Sequence, residues 1–280
     1  MTDISKKAYR ELSLPHFREV FRIIDTVCGE MGIGYYLIGA QAKDFHFLEK
    51  GFKPRRDTKD IDFAVMMPEM KVYDNMINRF IQSGFKKAGE PYRIIHVETD
   101  TIIDLLPFGE LEAEGTVKFT EREIELSVVG MKEVKSHTVA ADLEEITIKV
   151  SPLEGLVILK LISFSDKPQE RTKDLDDINE ILKNYFDINS ERFFEDHLDL
   201  VDEIPTDNYT ELAGARLLGR DMKLILAQSQ KLSNTIKTIL SEELKDKPGS
   251  ISEYFLRKNY AVDYELLQKV FGQILKGIEE

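Results

Sequence analysis

The segment from Lys59 to Val65 carries two aspartates, Asp60 and Asp62, separated by one residue within an apolar run. Side chains in a strand alternate between the two faces, so both carboxylates point to the same face. Like charges held this close repel each other, and a divalent cation relieves the repulsion. Because Mg²⁺ prefers hard oxygen ligands, the spacing predicts a cation site. The alternative is a strand end at which water solvates both aspartates.

A third carboxylate, Asp104, interrupts the apolar run from Ile102 to Leu106. A charge in such a run costs free energy unless it is paired, hydrogen-bonded or bound to a metal. If its strand lies beside the strand of Asp60 and Asp62, three carboxylates converge, as a two-metal phosphoryl-transfer centre requires. The alternative for Asp104 is an aspartate at a sheet edge.

Upstream, the strand-like run Tyr35–Ile38 leads into Gly39 and Ala40 and then into a helix. Small residues at such a turn let backbone N–H groups approach a phosphate at the start of a helix. A glycine after a strand is common, so this turn alone indicates only a strand-to-helix connection.

Hydrophobic periodicity predicts the elements that must position these residues. Up to residue 150, helical patterns are predicted over 15–31, 41–50 and 69–83, and strands over 35–38, 60–66, 93–97, 101–106, 124–129 and 146–150. After Pro152 only helical patterns follow, over 156–164, 173–185, 213–228, 232–244 and 264–278. The predicted fold class is therefore α+β, with a mixed β-sheet flanked by helices over residues 1–150 and an all-helical region over residues 151–280.

The composition narrows the class of protein. The chain has 280 residues, 42% hydrophobic and 32% charged, which is typical of a globular protein. No apolar run approaches the roughly 18 residues of a membrane span and no signal peptide is evident, so we expect a cytoplasmic protein without a membrane partner. The net charge of −13 disfavours nucleic-acid binding over the whole surface, although 38 Lys and Arg residues suffice for a local basic patch.

The one cysteine, Cys28, is predicted to lie in the core on an amphipathic helix.

Taken in order, these motifs resemble the nucleotidyltransferase superfamily of DNA polymerase β, the CCA-adding enzymes and the aminoglycoside nucleotidyltransferases. Gly39–Asp44 is similar to the G-G-x-V-R-D opening of the CCA-adding group. Arg56–Asp62 is similar to the R-x-T-x-D-x-D of the AbiEii-type toxins, a bacterial toxin–antitoxin and phage-defence family, to which the chain is most similar. Leu159–Ser163 and Arg171–Ile178 resemble the K-containing and R-x-K-D-x-x-D-(I/L) helices of the same family.

The resemblance implies catalytic and metal-binding roles for Asp60, Asp62 and Asp104, with Mg²⁺ or Mn²⁺ as cofactor and an NTP as substrate. It also implies a set of nucleotide-binding residues: Gly39, Ala40, Lys43, Arg56, Thr58, Lys160 and Asp174. Two positions depart from the CCA-type pattern. Ala40 replaces a glycine or serine and leaves only backbone donors, and Lys43 replaces an arginine fork with a point charge.

The implied reaction moves an NMP from an NTP to an acceptor hydroxyl and releases pyrophosphate. By resemblance, the protein is the toxin of a toxin–antitoxin or phage-defence system, with tRNA or another RNA as acceptor and an antitoxin protein as partner. Two alternatives stay open: nucleotidylation of a small molecule or a protein, and a nucleotide-binding regulatory protein with little turnover. A metal-dependent phosphohydrolase is disfavoured, because the five histidines are scattered rather than placed at ligand spacing.

Overall fold

The structure, a computed structural model, describes residues 17–52, 60–143, 146–258, 260 and 262–280. The chain divides into two compact units, Met1–Leu156 and Val157–Glu280. The functional division into a catalytic domain over residues 1–150 and a helical domain over residues 151–280 stays a prediction. Among the described helices, none combines the length and the apolar character that crossing a membrane requires.

The first unit is built on a mixed sheet. The described strands are β1 Tyr35–Ile38, β2 Asp60–Met67, β3 Phe85–Lys87, β4 Arg93–His96, β5 Ile102–Gly109, β6 Thr116–Phe119, β7 Ile124–Ser127, β8 Val139–Leu143 and β9 Ile146–Val150. Seven of them form one sheet in the order β3-β4-β5-β2-β1-β9-β8, and β6 and β7 form a separate hairpin. At the centre, β2 runs parallel to β5 and antiparallel to β1. This mixed sheet with helices confirms the predicted α+β fold class.

The described α-helices of the first unit are α1 Phe17–Met31, α2 Gly39–Glu49, α3 Met70–Gln82 and α4 Met131–Lys135. Along α1, apolar residues recur every three or four positions and form one buried face, which includes Phe21, Ile24 and Cys28. Cys28 is a free and buried thiol, as predicted. Burial, together with the nearby charge of Asp25, raises the pKa of this thiol to about 12.

The sequence pattern does not predict three strands of the first unit, β3, β6 and β8. In β3 only Phe85 is buried, whereas Lys86 and Lys87 are exposed, so no apolar alternation marks it as a strand. Pairing with β4, in which Phe85 lies opposite His96, forms this strand despite its composition. The helix predicted over 41–50 begins earlier, at Gly39, directly at the end of β1.

The described residues of the second unit form helices joined by loops and no strand, as predicted. With the helix that contains the dividing residue, its helices are α5 Leu153–Asp166, α6 Thr172–Ile188, α7 Ser190–Asp196, α8 Tyr209–Leu226, α9 Gln230–Glu242, α10 Ser250–Arg257 and α11 Tyr264–Glu279. The sequence pattern does not predict α7 and α10, because seven or eight residues give too short a periodic pattern.

Helices α8 and α11 touch backbone to backbone at two glycines. A Cβ atom on Gly219 would lie 2.2 Å from the carbonyl oxygen of Ile274, and one on Gly277 would lie 2.4 Å from the carbonyl oxygen of Arg216. Since real Cβ atoms do not approach this closely, the contact admits glycine alone.

Substitution of Gly219 tests this packing. We expect Gly219→Ala to lower the free energy of unfolding by about 1–3 kcal/mol, because the helices must separate to admit the methyl group. Gly272→Ala on α11 is the matched control, since its Cβ would meet only the Leu244 side chain at 3.9 Å. The control should be neutral or stabilising by up to about 1 kcal/mol, because alanine favours a helix over glycine. Urea unfolding of both variants gives the comparison, and equal stabilities would contradict the close contact.

Candidate active site

The acidic cluster, Asp60, Asp62 and Asp104, lies where β2 and β5 run parallel. The strand register places Asp62 directly opposite Asp104. One carboxylate oxygen from each of the three aspartates lies within 4.8 Å of the other two. Asp104 stands on a strand inside the sheet, between β4 and β2, so it is not an edge residue. The structure therefore brings together the three carboxylates that the sequence analysis singled out.

The acidic cluster has the donor chemistry of a divalent cation site. Its ligand atoms are hard oxygens, the kind that Mg²⁺ and Mn²⁺ prefer. Asp104 is buried, and Asp60 and Asp62 are half-buried, so solvent screens their mutual repulsion only in part. Burial raises the pKa of Asp104 above its ordinary value, whereas hydrogen bonds from Arg93 oppose that rise. A cation bound among the three oxygens would relieve the repulsion.

Gly39 lies against the acidic cluster. Ile38, the last residue of β1, pairs with Asp62, and Gly39 follows with φ of +70°, in the left-handed region. A Cβ atom at this position would lie 2.0 Å from Oδ2 of Asp62. Two features therefore require glycine at this position: the left-handed backbone conformation, and the Asp62 carboxylate, which occupies the space that a Cβ atom would need. Ala40 follows as the second residue of α2 and is buried.

The other predicted nucleotide-binding residues of the first unit have different surroundings. Lys43 on α2 is buried, with 1% of its side chain exposed. Its ammonium lies 3.6 Å from Oδ1 of Asp44 and 5.8 Å from the ring centroid of Phe47. The structure therefore places this charge inside the first unit, and its contact with a nucleotide stays a prediction. Arg56 and Thr58 lie outside the described residues.

In the second unit, Lys160 on α5 is held between two carboxylates of α6. Its ammonium donates to Oδ1 of Asp174 at 3.0 Å and to Oδ2 of Asp177 at 2.7 Å. Burial lowers the pKa of Lys160, but the charges and hydrogen bonds of Asp177 and Asp174 outweigh that effect and raise it above its ordinary value. Lys160 therefore stays protonated and is paired with Asp174, and the nucleotide-binding roles of these two residues stay predictions.

Asp177 is a member of this second cluster that the sequence analysis did not select. Arg171 and Lys173 are exposed, whereas Asp177 is buried. Its spacing of three residues from Asp174 puts both carboxylates on one side of α6, which is the signal that could have found it.

Arg93 is the residue of the first unit's site that the sequence analysis missed. Strand β4 runs antiparallel to β5 and places Arg93 opposite Asp104. Nε donates to Oδ1 of Asp104 at 2.7 Å, and Nη2 donates to Oδ2 at 2.8 Å. The cross-strand register is the only signal for this pair, and it becomes visible only when the strand order is known.

A family model gives the identity of the fold and its chemistry. The model of the nucleotidyl transferase AbiEii toxin of a type IV toxin–antitoxin system matches residues 46–251, well over half of the chain. The chain belongs to this AbiEii family. It is therefore a nucleotidyltransferase, and the matched residues of this AbiEii-family protein include Asp60, Asp62, Asp104 and Lys160.

Three solved structures are similar to the AbiEii-family protein. The antibiotic-resistance factor ANT(2'')-Ia has 11% identity and a TM-score of 0.36 over 79% of this chain and 94% of its own. A CCA-adding enzyme with CTP has 15% identity and a TM-score of 0.34 over 99% of this chain and 69% of its own. The cyclic dinucleotide synthase CdnE of Elizabethkingia meningoseptica has 8% identity and a TM-score of 0.27 over 94% of this chain and 92% of its own. No curated protein matches in sequence.

Gly39→Ala tests the approach of the turn to Asp62. The added methyl group would displace the Asp62 carboxylate, so we expect Mn²⁺ to bind at least about tenfold more weakly, measured by electron paramagnetic resonance. Gly32→Ala is the matched control, because Gly32 also has a positive φ, +65°, but nothing lies within 4 Å of its Cβ position. Both substitutions carry backbone strain of about 1–2 kcal/mol, so only the effect on Mn²⁺ separates them. Equal Mn²⁺ affinities in the two variants would show that Gly39 does not shape the cluster.

Proposed function

We propose that this nucleotidyltransferase uses Mg²⁺, or Mn²⁺, and moves an NMP from an NTP to an acceptor hydroxyl with release of pyrophosphate. The observation that carries the proposal is the convergence of three carboxylate oxygens, from Asp60, Asp62 and Asp104, within 4.8 Å. Three like charges at this separation repel one another, and together they provide the oxygen ligands of a phosphoryl-transfer centre.

The proposed roles follow from the position of each residue. Asp60 and Asp62 would hold the cation that accompanies the triphosphate, and Asp104 would complete a second cation site and accept the proton of the acceptor hydroxyl. A divalent cation held there supplies charge stabilisation for the attacking and leaving oxygens. Gly39 leaves the space that Asp62 occupies, so that the strand-to-helix turn can approach the phosphates.

We propose nucleotide-binding roles for a further set of residues on the strength of the motif: Gly39, Ala40, Lys43, Arg56, Thr58, Lys160 and Asp174. The support for Lys160 is the motif, since its ammonium is already paired with Asp174 and Asp177. Asp174 supports the site by orienting that ammonium. Gly39 and Ala40 offer backbone N–H groups at the start of α2.

We propose that the enzyme is the toxin of a bacterial toxin–antitoxin or phage-defence system, that it acts in the cytoplasm, that RNA such as tRNA is its acceptor, and that an antitoxin protein is its partner. The family's description as a type IV toxin supports the toxin role. The net charge of −13 favours a small molecule or a protein as the competing acceptor. A nucleotide-binding regulatory protein with little turnover is disfavoured, because a protein that only binds nucleotide has no need of the three converging carboxylates.

A labelling experiment tests the chemistry. Purified protein is incubated with Mg²⁺, total bacterial RNA and each α-³²P-labelled NTP in turn, and label is followed into RNA, protein and small molecules. We expect Asp60→Asn and Asp62→Asn each to lower the labelling rate by at least about 100-fold. Each substitution removes a carboxylate ligand of the cation, while the asparagine side chain keeps the size of aspartate. Asp100→Asn is the matched control, since Asp100 is exposed on the same unit and its ion-pair partner Lys86 is 3.9 Å away.

The fraction that carries the label separates the acceptors. Label in RNA that disappears in the two active-site variants supports the RNA acceptor and names the nucleotide. Label only in protein or in small molecules keeps the transferase chemistry and contradicts the RNA acceptor. Binding of NTP without any label would contradict turnover and favour the regulatory alternative.

A growth experiment tests the toxin role. Induced expression of the wild-type protein in a bacterial host should arrest growth, whereas the Asp60→Asn/Asp62→Asn variant at equal abundance should not, because toxicity depends on nucleotidyl transfer. Colony counts after induction give the measurement, with an immunoblot to confirm abundance. Arrest by both proteins would point to a cause other than catalysis.

A further inference from the structure

Arg93 grips both oxygens of the Asp104 carboxylate. Its Nε donates to Oδ1 at 2.7 Å and its Nη2 to Oδ2 at 2.8 Å, so the guanidinium meets the carboxylate as a two-pronged fork. The two residues are direct cross-strand partners of β4 and β5, which places their side chains on the same face of the sheet. Only 26% of the Arg93 side chain and 9% of the Asp104 side chain is exposed, so solvent screens the pair weakly.

This fork fixes the plane of the carboxylate. Two parallel hydrogen bonds to one carboxylate leave it little freedom to rotate, whereas a lysine ammonium could hold it only as a point charge. Glu90 lies on the other side of the guanidinium, with Oε1 at 3.6 Å from Nη1 of Arg93. Arg93 is thus itself held between two carboxylates, and Asp104 is presented to Asp60 and Asp62 in one orientation.

The same guanidinium changes the charge of the acidic cluster. Three carboxylates carry three negative charges, and Arg93 adds one positive charge in direct contact with one of them. A positive charge at this position repels a divalent cation and competes with it for the oxygens of Asp104. Arg93 therefore orients one ligand of the site and at the same time weakens the attraction of the cluster for a cation.

We propose that Arg93 is a positioning residue, which holds Asp104 in the orientation needed for nucleotidyl transfer and lowers the affinity of the nucleotide-free protein for divalent cations. The first part rests on the proposed function. The second part concerns the cluster alone and can be measured without turnover.

Two substitutions separate the fork from the charge. Arg93→Met removes both, so we expect kcat to fall by about 10- to 100-fold with a change of less than about threefold in KM for the NTP. In the same variant Mn²⁺ should bind about three- to tenfold more tightly, because a repelling charge has gone. Arg93→Lys keeps the charge and loses the fork, so its kcat should fall while its Mn²⁺ affinity stays within about twofold of wild type.

The opposite signs of the two effects distinguish positioning from folding. A variant that is merely damaged would bind Mn²⁺ more weakly as well as turn over more slowly. Arg79→Met is the matched control, because Arg79 also donates to a carboxylate, Glu30 at 3.0 Å, but on an exposed surface of the same unit. We expect this control to match wild type in kcat and in Mn²⁺ binding.

A double-mutant cycle tests whether Arg93 acts through Asp104. Arg93→Met should cost no further activity in an Asp104→Asn background, since the carboxylate that it positions is already absent. Losses that multiply in the double variant would assign Arg93 an independent role and overturn the proposal. Thermal unfolding of each variant confirms that the comparison is made on folded protein.

The outcomes separate this inference from the proposed function. If the wild-type protein transfers nucleotide and both Arg93 variants keep its kcat, the inference is wrong and the proposed function stands. If the wild-type protein labels no acceptor, the proposed function fails. The Mn²⁺ titration alone then tests whether Arg93 lowers the affinity of the cluster for divalent cations. Tighter Mn²⁺ binding by Arg93→Met then supports the effect of Arg93 on the cluster, and equal or weaker binding overturns it.

Discussion

The parallel pairing of β2 with β5 is the constraint on which the candidate site depends. It sets Asp62 directly opposite Asp104 and holds their like charges together. The strands cannot relax apart, because the residues between and beside the aspartates are fully buried: Ile61, Phe63, Ile103 and Leu105. Apolar burial, the main favourable term in folding, therefore stabilises an arrangement that electrostatics alone would disfavour. The repulsion is a property of the folded sheet, and a cation bound among the three carboxylates would relieve it.

The two flanks of the cluster show how the fold accommodates these charges. On one flank, Arg93 of β4 neutralises Asp104 from within the sheet. On the other flank, Gly39 follows the last residue of β1, and its lack of a side chain leaves room for the Asp62 carboxylate. The second unit uses the same kind of balance with the signs reversed, since one buried ammonium, Lys160, lies between two carboxylates. Asp104 and Lys160 are thus each buried where a neighbouring strand or helix supplies a partner of opposite charge.

The local features of the site could be predicted from the sequence, and the non-local ones could not. Asp60 and Asp62 were visible because a period of two within an apolar run is a short-range pattern. Asp104 was visible as a charge among apolar neighbours, but its convergence with the others required the strand order. Arg93 depends wholly on the register of β4 against β5, which no spacing along the chain encodes. The strand β3 was missed for the same reason, because pairing and not composition forms it.

The charge of the whole protein says little about its site. With three carboxylates and one guanidinium, the described cluster is negative, and a triphosphate that arrived alone would be repelled by it. A divalent cation reverses this, since it is attracted to the carboxylates and to the phosphates alike. The negative charge of the cluster therefore favours a nucleotide that arrives together with its cation. This holds independently of the net charge of −13 on the whole chain. The positive charge of Arg93 weakens the binding of a cation to the cluster before the nucleotide arrives. The same residue orients Asp104, so one side chain affects both the geometry of the cluster and its affinity for the cation.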